Sequence, residues 1–103
     1  MQYTCKNGFN VQLSLNSERK QIHIKIIESI TGFLYESIIE KNIIPISTDI
    51  DTVFQCVQNC FENVQNHSVE IITGIDCIEC KFTAILNEYF TMKFNVMLTP
   101  LHI

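Results

Sequence analysis

Phe9-Asn10-Val11-Gln12-Leu13-Ser14-Leu15 alternates apolar and polar side chains without a fault. Successive side chains of a β-strand point to opposite faces, so a period of two predicts a strand with one buried face and one wet face. The pattern returns in Ile22-His23-Ile24-Lys25-Ile26 and, far along the chain, in Phe90-Thr91-Met92-Lys93-Phe94-Asn95-Val96-Met97-Leu98. Three such stretches predict an antiparallel sheet covered on one side.

Working outward, Tyr3 to Cys5 reads as a short strand, and Asn7-Gly8 is a strong hairpin signal because both residues tolerate positive φ. Ser17-Glu18-Arg19-Lys20 is a polar connection into a strand from Gln21 to Glu28. Phe33 to Glu40 is read as a fourth strand on its aromatic and β-branched content. Pro45 breaks the chain. Thr48 with Asp51 fits a capping box, and Asp49 and Asp51 suit the positive end of a helix dipole. Ile50, Val53, Phe54, Val57, Phe61 and Val64 then form one helical stripe, predicting an amphipathic helix over 49–65. Asn66-His67-Ser68 ends it. Val69 to Thr73 is a strand, Gly74-Ile75-Asp76 a turn, Cys77 to Asn87 a further strand, and a tight turn near Asn87-Glu88 leads into the last one, which Pro100 closes. The expected fold is α+β: mostly antiparallel, about seven strands, four before the helix and three after it. The helix packs on the sheet or plugs a sandwich, in a single domain over 1–103.

The chain has 103 residues, of which 47% are hydrophobic and 17% charged, with mean hydropathy +0.16. An average globular chain has about 25% charged residues, so some apolar surface is expected to meet a partner. A net charge of -4 repels a phosphate backbone and argues against nucleic-acid binding. The N-terminal residues lack a signal-peptide core, and no apolar run approaches the about eighteen residues of a membrane helix. Five cysteines, an odd number, point to free thiols in a reducing compartment, hence to a cytoplasmic chain, or a virion protein if its source is viral. Isoleucine and asparagine richness without tryptophan fits an AT-rich genome, such as that of a protist or a large DNA virus. The ending Leu101-His102-Ile103, close behind the last strand, reads like a head cut from a longer protein.

Catalytic and metal signatures are weak. Cys77-Ile78-Glu79-Cys80 spells C-x-x-C, and Cys56 with Cys60 adds C-x-x-x-C, which invites a zinc reading. On a strand, however, positions 77 and 80 face opposite ways, and Cys60 falls within the apolar stripe. Small buried thiols are the expectation, with no metal and no cofactor. His23 alternates with isoleucines and should face water; His67 and His102 sit in a loop and at the chain end, also solvated. Asp49 and Asp51 are explained by capping, Glu36 and Glu40 have nothing nearby to perturb them, and Gly8, Gly32 and Gly74 are isolated turn residues. No enzyme is expected. The last strand offers the most suggestive surface: Tyr89, Thr91, Lys93, Asn95 and Met97, continued by Thr99, point away from its apolar face. The preceding strand adds Cys77, Glu79, Lys81, Thr83 and Ile85. Such a mixture suits a recognition patch and is equally ordinary for a solvent-facing sheet.

With its N-terminal meander, its helix carrying Asn59-Cys60-Phe61 and its closing strand from Phe94 to Leu98, the chain resembles small β-rich head domains that precede long coiled coils in large DNA virus and protist proteins. It also looks, more distantly, like the dimerising heads of centriolar cartwheel and DNA-end-joining scaffold proteins, which likewise place a helix between strands. The resemblance implies a non-enzymatic protein-interaction or oligomerisation head, of a viral structural or coiled-coil scaffold protein, with another protein or a second copy as partner. The alternatives are a small-molecule binding domain in which the helix covers a cavity over the sheet, and a zinc-stabilised module.

Overall fold

The computed structural model describes residues 2–4, 8–40 and 49–100. Seven strands and one helix follow in the order β1 (Gln2–Thr4), β2 (Phe9–Asn16), β3 (Gln21–Glu28), β4 (Leu34–Glu40), α1 (Ile50–Glu62), β5 (Ser68–Thr73), β6 (Ile78–Ile85) and β7 (Thr91–Pro100). The α+β expectation, with four strands before the helix and three after, is the observed architecture. Asn7, Pro45, Thr48, Cys5 and His102 lie outside the described residues.

Alternation sets the faces. Phe9, Val11 and Leu13 of β2 are buried, as are Ile22, Ile24 and Ile26 of β3 and Met92, Phe94, Val96 and Leu98 of β7. Antiparallel register matches them, Val11 opposite Ile26 and Leu13 opposite Ile24. A slip of one residue would turn this whole set to water, which fixes the pairing. Gly8 takes φ +80, which the Cβ of another residue would disfavour, and its carbonyl accepts from the Ser29 N–H at 2.9 Å.

The strands form one antiparallel sheet in the order β1-β2-β3-β4-β7-β6-β5. Two meanders, β1 to β4 and β5 to β7, join where β4 meets β7, and the described pairing there is brief: Tyr35 with Pro100 and Glu36 with Thr99. The helix lies across the inner face. It packs mainly on β5 and β6 and also reaches β2 and β3. A flat sheet could not present strands so far apart in order to one helix, so the sheet curls around α1.

Asp49 is the N-cap, its carboxylate accepting from the Thr52 N–H at 2.7 Å. The cap therefore sits one residue later than the Thr48 box predicted. Ile50, Val53, Val57 and Phe61 of the stripe are buried, joined by Cys56, Gln58 and Cys60. The helix ends at Glu62, not 65, because Asn63 turns left-handed at φ 54 and its N–H satisfies the Asn59 and Cys60 carbonyls. Val64, assigned to the stripe from its spacing, consequently falls outside the helix and is only partly covered.

Aromatic contacts tie the layers together. Phe82 of β6 stacks on Phe94 of β7 at 4.9 Å and meets Phe61 of α1 edge-on at 5.6 Å. Tyr3 of β1 stacks on Phe61 at 5.8 Å and donates its hydroxyl to Glu62 Oε1 at 3.3 Å. Buried Gln58 hydrogen-bonds the same hydroxyl. The short edge strand β1 is thus fastened to the end of α1. Burial, with Glu62 beside it, holds the Tyr3 phenol pKa above its ordinary value.

His67 corrects the solvated reading. Its ring sits half-buried between the turn that follows the helix and the end of β6, with Nδ1 2.7 Å from the Val64 carbonyl and Nε2 accepting from the Ile85 N–H at 3.2 Å. This requires the neutral tautomer that carries its proton on Nδ1. His67→Ala strands the Ile85 N–H where β5 has not yet begun. We expect a loss of about 1–2 kcal/mol in urea unfolding, the usual cost of an unpaired part-buried donor.

Candidate interaction surface

The outward face of β5, β6 and β7 is built from rows of paired residues. Met97, Glu79 and Ile72 make one row, Asn95, Lys81 and Glu70 the next, and Lys93, Thr83 and Ser68 a third. Thr91, Lys93, Asn95 and Met97 all point outward, where alternation placed them. Met97 is about half exposed at 49%. Lys81 Nζ lies 3.7 Å from Glu79 Oε1, an exposed pair of the kind that contributes about 0–1 kcal/mol.

Tyr89 is placed differently. It stands in the turn between β6 and β7, not on the strand face, and is 86% exposed. Asn87 builds that turn: its side-chain oxygen accepts from the Tyr89 N–H at 2.8 Å and the Phe90 N–H at 3.1 Å. The Phe90 carbonyl closes the turn by accepting from Leu86 N–H at 3.0 Å. Phe90 was read as the first inward residue of the strand; it belongs to the turn instead, 60% exposed beside Tyr89. Six residues separate Thr91 from Met97, about 20 Å at 3.3 Å each, so the structure does not bring Tyr89 and Met97 together. Met97 groups with Ile72, and Tyr89 with Phe90.

The polar half of the sheet contrasts with this. Gln2, Gln12, Lys25, Glu36 and Thr99 form an outward row across β1, β2, β3, β4 and β7. A recess of about 220 Å³ opens there between Gln2, Gln12, Leu13, Ser14, His23 and Lys25, and another of about 240 Å³ lies beside it over Thr4, Asn10 and Ile27. Both are on the outer side of the sheet. The small-molecule reading placed its cavity under α1, where Phe61, Phe82 and Val57 are packed instead.

Three of the described thiols lie within the core. Cys56 and Cys60 are buried on α1, Cys80 is buried on β6, and Cys77 is half-buried at the end of the β5–β6 turn. Burial, with the neighbouring Cys56 adding to it, pushes the Cys60 pKa up to about 11 against the lowering effect of its backbone hydrogen bonds, and burial raises that of Cys56 as well. Cys60 Sγ donates to the Thr83 carbonyl at 3.3 Å. Neutral thiols of this kind are poor nucleophiles. Among the described residues no group of three or more His, Cys, Asp or Glu side chains converges as a metal site would need. No described helix is long and apolar enough to cross a membrane.

The curled sheet, its seam and its enclosed helix have a counterpart among solved structures. The crystal structure of the head domain of human CCDC61 superposes with a TM-score of 0.76 over 98% of this chain and 98% of that one, at 6% sequence identity. The chain has the fold of that head domain. No family model and no curated protein matches the sequence. At 6% identity the likeness is one of backbone, so the β-rich head fold anticipated from the meander, helix and closing strand is what it bears out; it carries no information on a viral or protist source.

Sequence patterning located Thr91, Lys93, Asn95 and Met97 correctly on the outward face, yet it missed Phe90 and Ile72. Asn87 was the available signal for Phe90, since an asparagine opening a turn commonly caps the next two N–H groups. Ile72 stood in a run with Ile71, where alternation is silent about which of two isoleucines faces out.

Proposed function

We propose that this chain is a non-enzymatic protein-interaction head that oligomerises, as part of an assembly or coiled-coil scaffold protein in a reducing, cytoplasmic setting. One observation carries the reading: Tyr89 and Phe90 stand exposed on a turn that Asn87 holds in shape. Aromatic side chains on a rigid turn are the anchors that interfaces favour, because they bury much area and have little conformational freedom to lose. The head-domain fold supports it. The outward face of β7, with Thr91, Lys93, Asn95 and Met97, supplies a polar surface beside the anchor. The partner is a protein, a second copy included; the net charge of -4 speaks against nucleic acid.

The test is the double variant Tyr89→Ala with Phe90→Ala, the two exposed aromatic residues of the Asn87 turn. Both positions are exposed, so thermal unfolding should stay within a degree or two of the parent. Self-association measured by light scattering is expected to weaken at least tenfold, the scale of losing one anchor. Association unchanged in the variant would remove this surface from the function.

A further inference from the structure

Among the described residues the outer edge of β5 is an open strand edge, and its hydrogen-bonding direction can be read from its neighbours. Gly74 N–H bonds the Cys77 carbonyl at 2.8 Å, closing the β5–β6 turn. Antiparallel pairs alternate between bonded and non-bonded. With the register Ile72 to Glu79, Glu70 to Lys81 and Ser68 to Thr83, these three residues of β5 therefore direct their backbone groups at β6. The opposite end agrees: Leu86 N–H bonds the Phe90 carbonyl, which turns Thr83 and Ile85 toward β5, and Ile85 N–H duly reaches His67. Val69, Ile71 and Thr73 are left with N–H and C=O pointing off the sheet, and no described strand pairs there.

Edges of this kind are usually blunted by proline, lysine or a bulge. Ser68-Val69-Glu70-Ile71-Ile72-Thr73 has none of these, and its single charge, Glu70, lies opposite Lys81 of its own sheet. We propose that β5 pairs antiparallel with β5 of a second copy about a two-fold axis through Ile71, running one sheet through both molecules. That register sets Ile71 against Ile71, Val69 against Thr73 and Glu70 against Ile72, and it uses every outward N–H and C=O of those edge residues. A two-fold axis at Glu70 would face two carboxylates, which is unfavourable. An axis at Ile72 would leave Val69 opposite the turn at Ile75. The inference rests on the reading of the chain as an oligomerising head and names its partner and contact.

Proline at 73 discards an N–H that serves only the free edge, and Thr73 is exposed, so Thr73→Pro leaves the β5–β6 ladder intact. Sedimentation equilibrium of the whole chain should show a dimer whose dissociation constant rises at least tenfold in Thr73→Pro. A second pair keeps the test independent of proline. Ile72→Glu, facing Glu70 of the other copy, should weaken the dimer, and Ile72→Lys should hold or tighten it. A dimer indifferent to Thr73→Pro, or equal effects of the two Ile72 changes, would overturn the edge contact and leave the head reading standing. A strict monomer would overturn both this contact and self-association, leaving only a heterologous partner.

Discussion

Phe82→Ala is expected to remove about 3–5 kcal/mol of stability, the range for truncating a buried phenylalanine. Domains of this size hold about 5–15 kcal/mol in all, so the variant should lose a large share of the whole. The effect is large because of where the ring sits. Phe82 is 1% exposed and is touched by Phe94 of the neighbouring strand on one side and by Phe61 of the helix on the other. Phe61 in turn carries Tyr3 of β1, so the ring links the inner strand, the helix and the far edge of the sheet. Those contacts are shape-specific, and Phe82→Leu should cost clearly less than Phe82→Ala in the same denaturant titration. A loss under about 1 kcal/mol for the alanine variant would mean that the helix does not depend on this cluster for its seat.

Alkaline pH is expected to destabilise the fold through Cys60. Its pKa is pushed up to about 11 by burial, with Cys56 adding to it, whereas the ordinary thiol value is 9.0. Folding therefore favours the neutral thiol. The associated stability is fully present below about pH 9 and is lost as pH rises toward 11, because the unfolded chain can ionise there and the folded chain resists. Tyr3, raised by burial and Glu62 from its ordinary 10.0, works in the same direction. Urea unfolding at pH 8 and pH 10.5 measures the drop. Cys60→Ala should be less stable at pH 8, where its hydrogen bond to Thr83 is missing, yet flatter with pH; Tyr3→Phe separates the phenol's share. A Cys60→Ala slope as steep as that of the parent would show that the thiol does not ionise on unfolding.

Much of this fold is written in short-range patterns. Phe9 to Leu15 and Ile22 to Ile26 declare their buried face in any context, and Ile50 to Phe61 declares a helix, because both signals depend only on the geometry of a single element. Strand neighbours are different. Nothing local in Tyr35 or Pro100 says that β4 meets β7, since that pairing is decided by how two meanders close around α1. The helix end slipped from 65 to 62 because Asn63, a residue compatible with helix in sequence terms, adopts a left-handed cap. Gln58 was not recognised as buried, since its environment is created by Tyr3 arriving from the other edge of the sheet. The candidate surface divides in the same way: Thr91, Lys93, Asn95 and Met97 follow from alternation alone. The exposure of Phe90 depends on a turn that Asn87 builds, and the free edge of β5 depends on the order of the whole sheet.

The claim at the centre is that this head associates with copies of itself. Solution mass by size exclusion coupled to light scattering, followed from low micromolar to millimolar chain concentration, tests it most directly. Mass should climb from that of one chain toward that of two as concentration rises, and the Thr73→Pro variant should lag behind. A mass that stays at one chain over the whole range would contradict it.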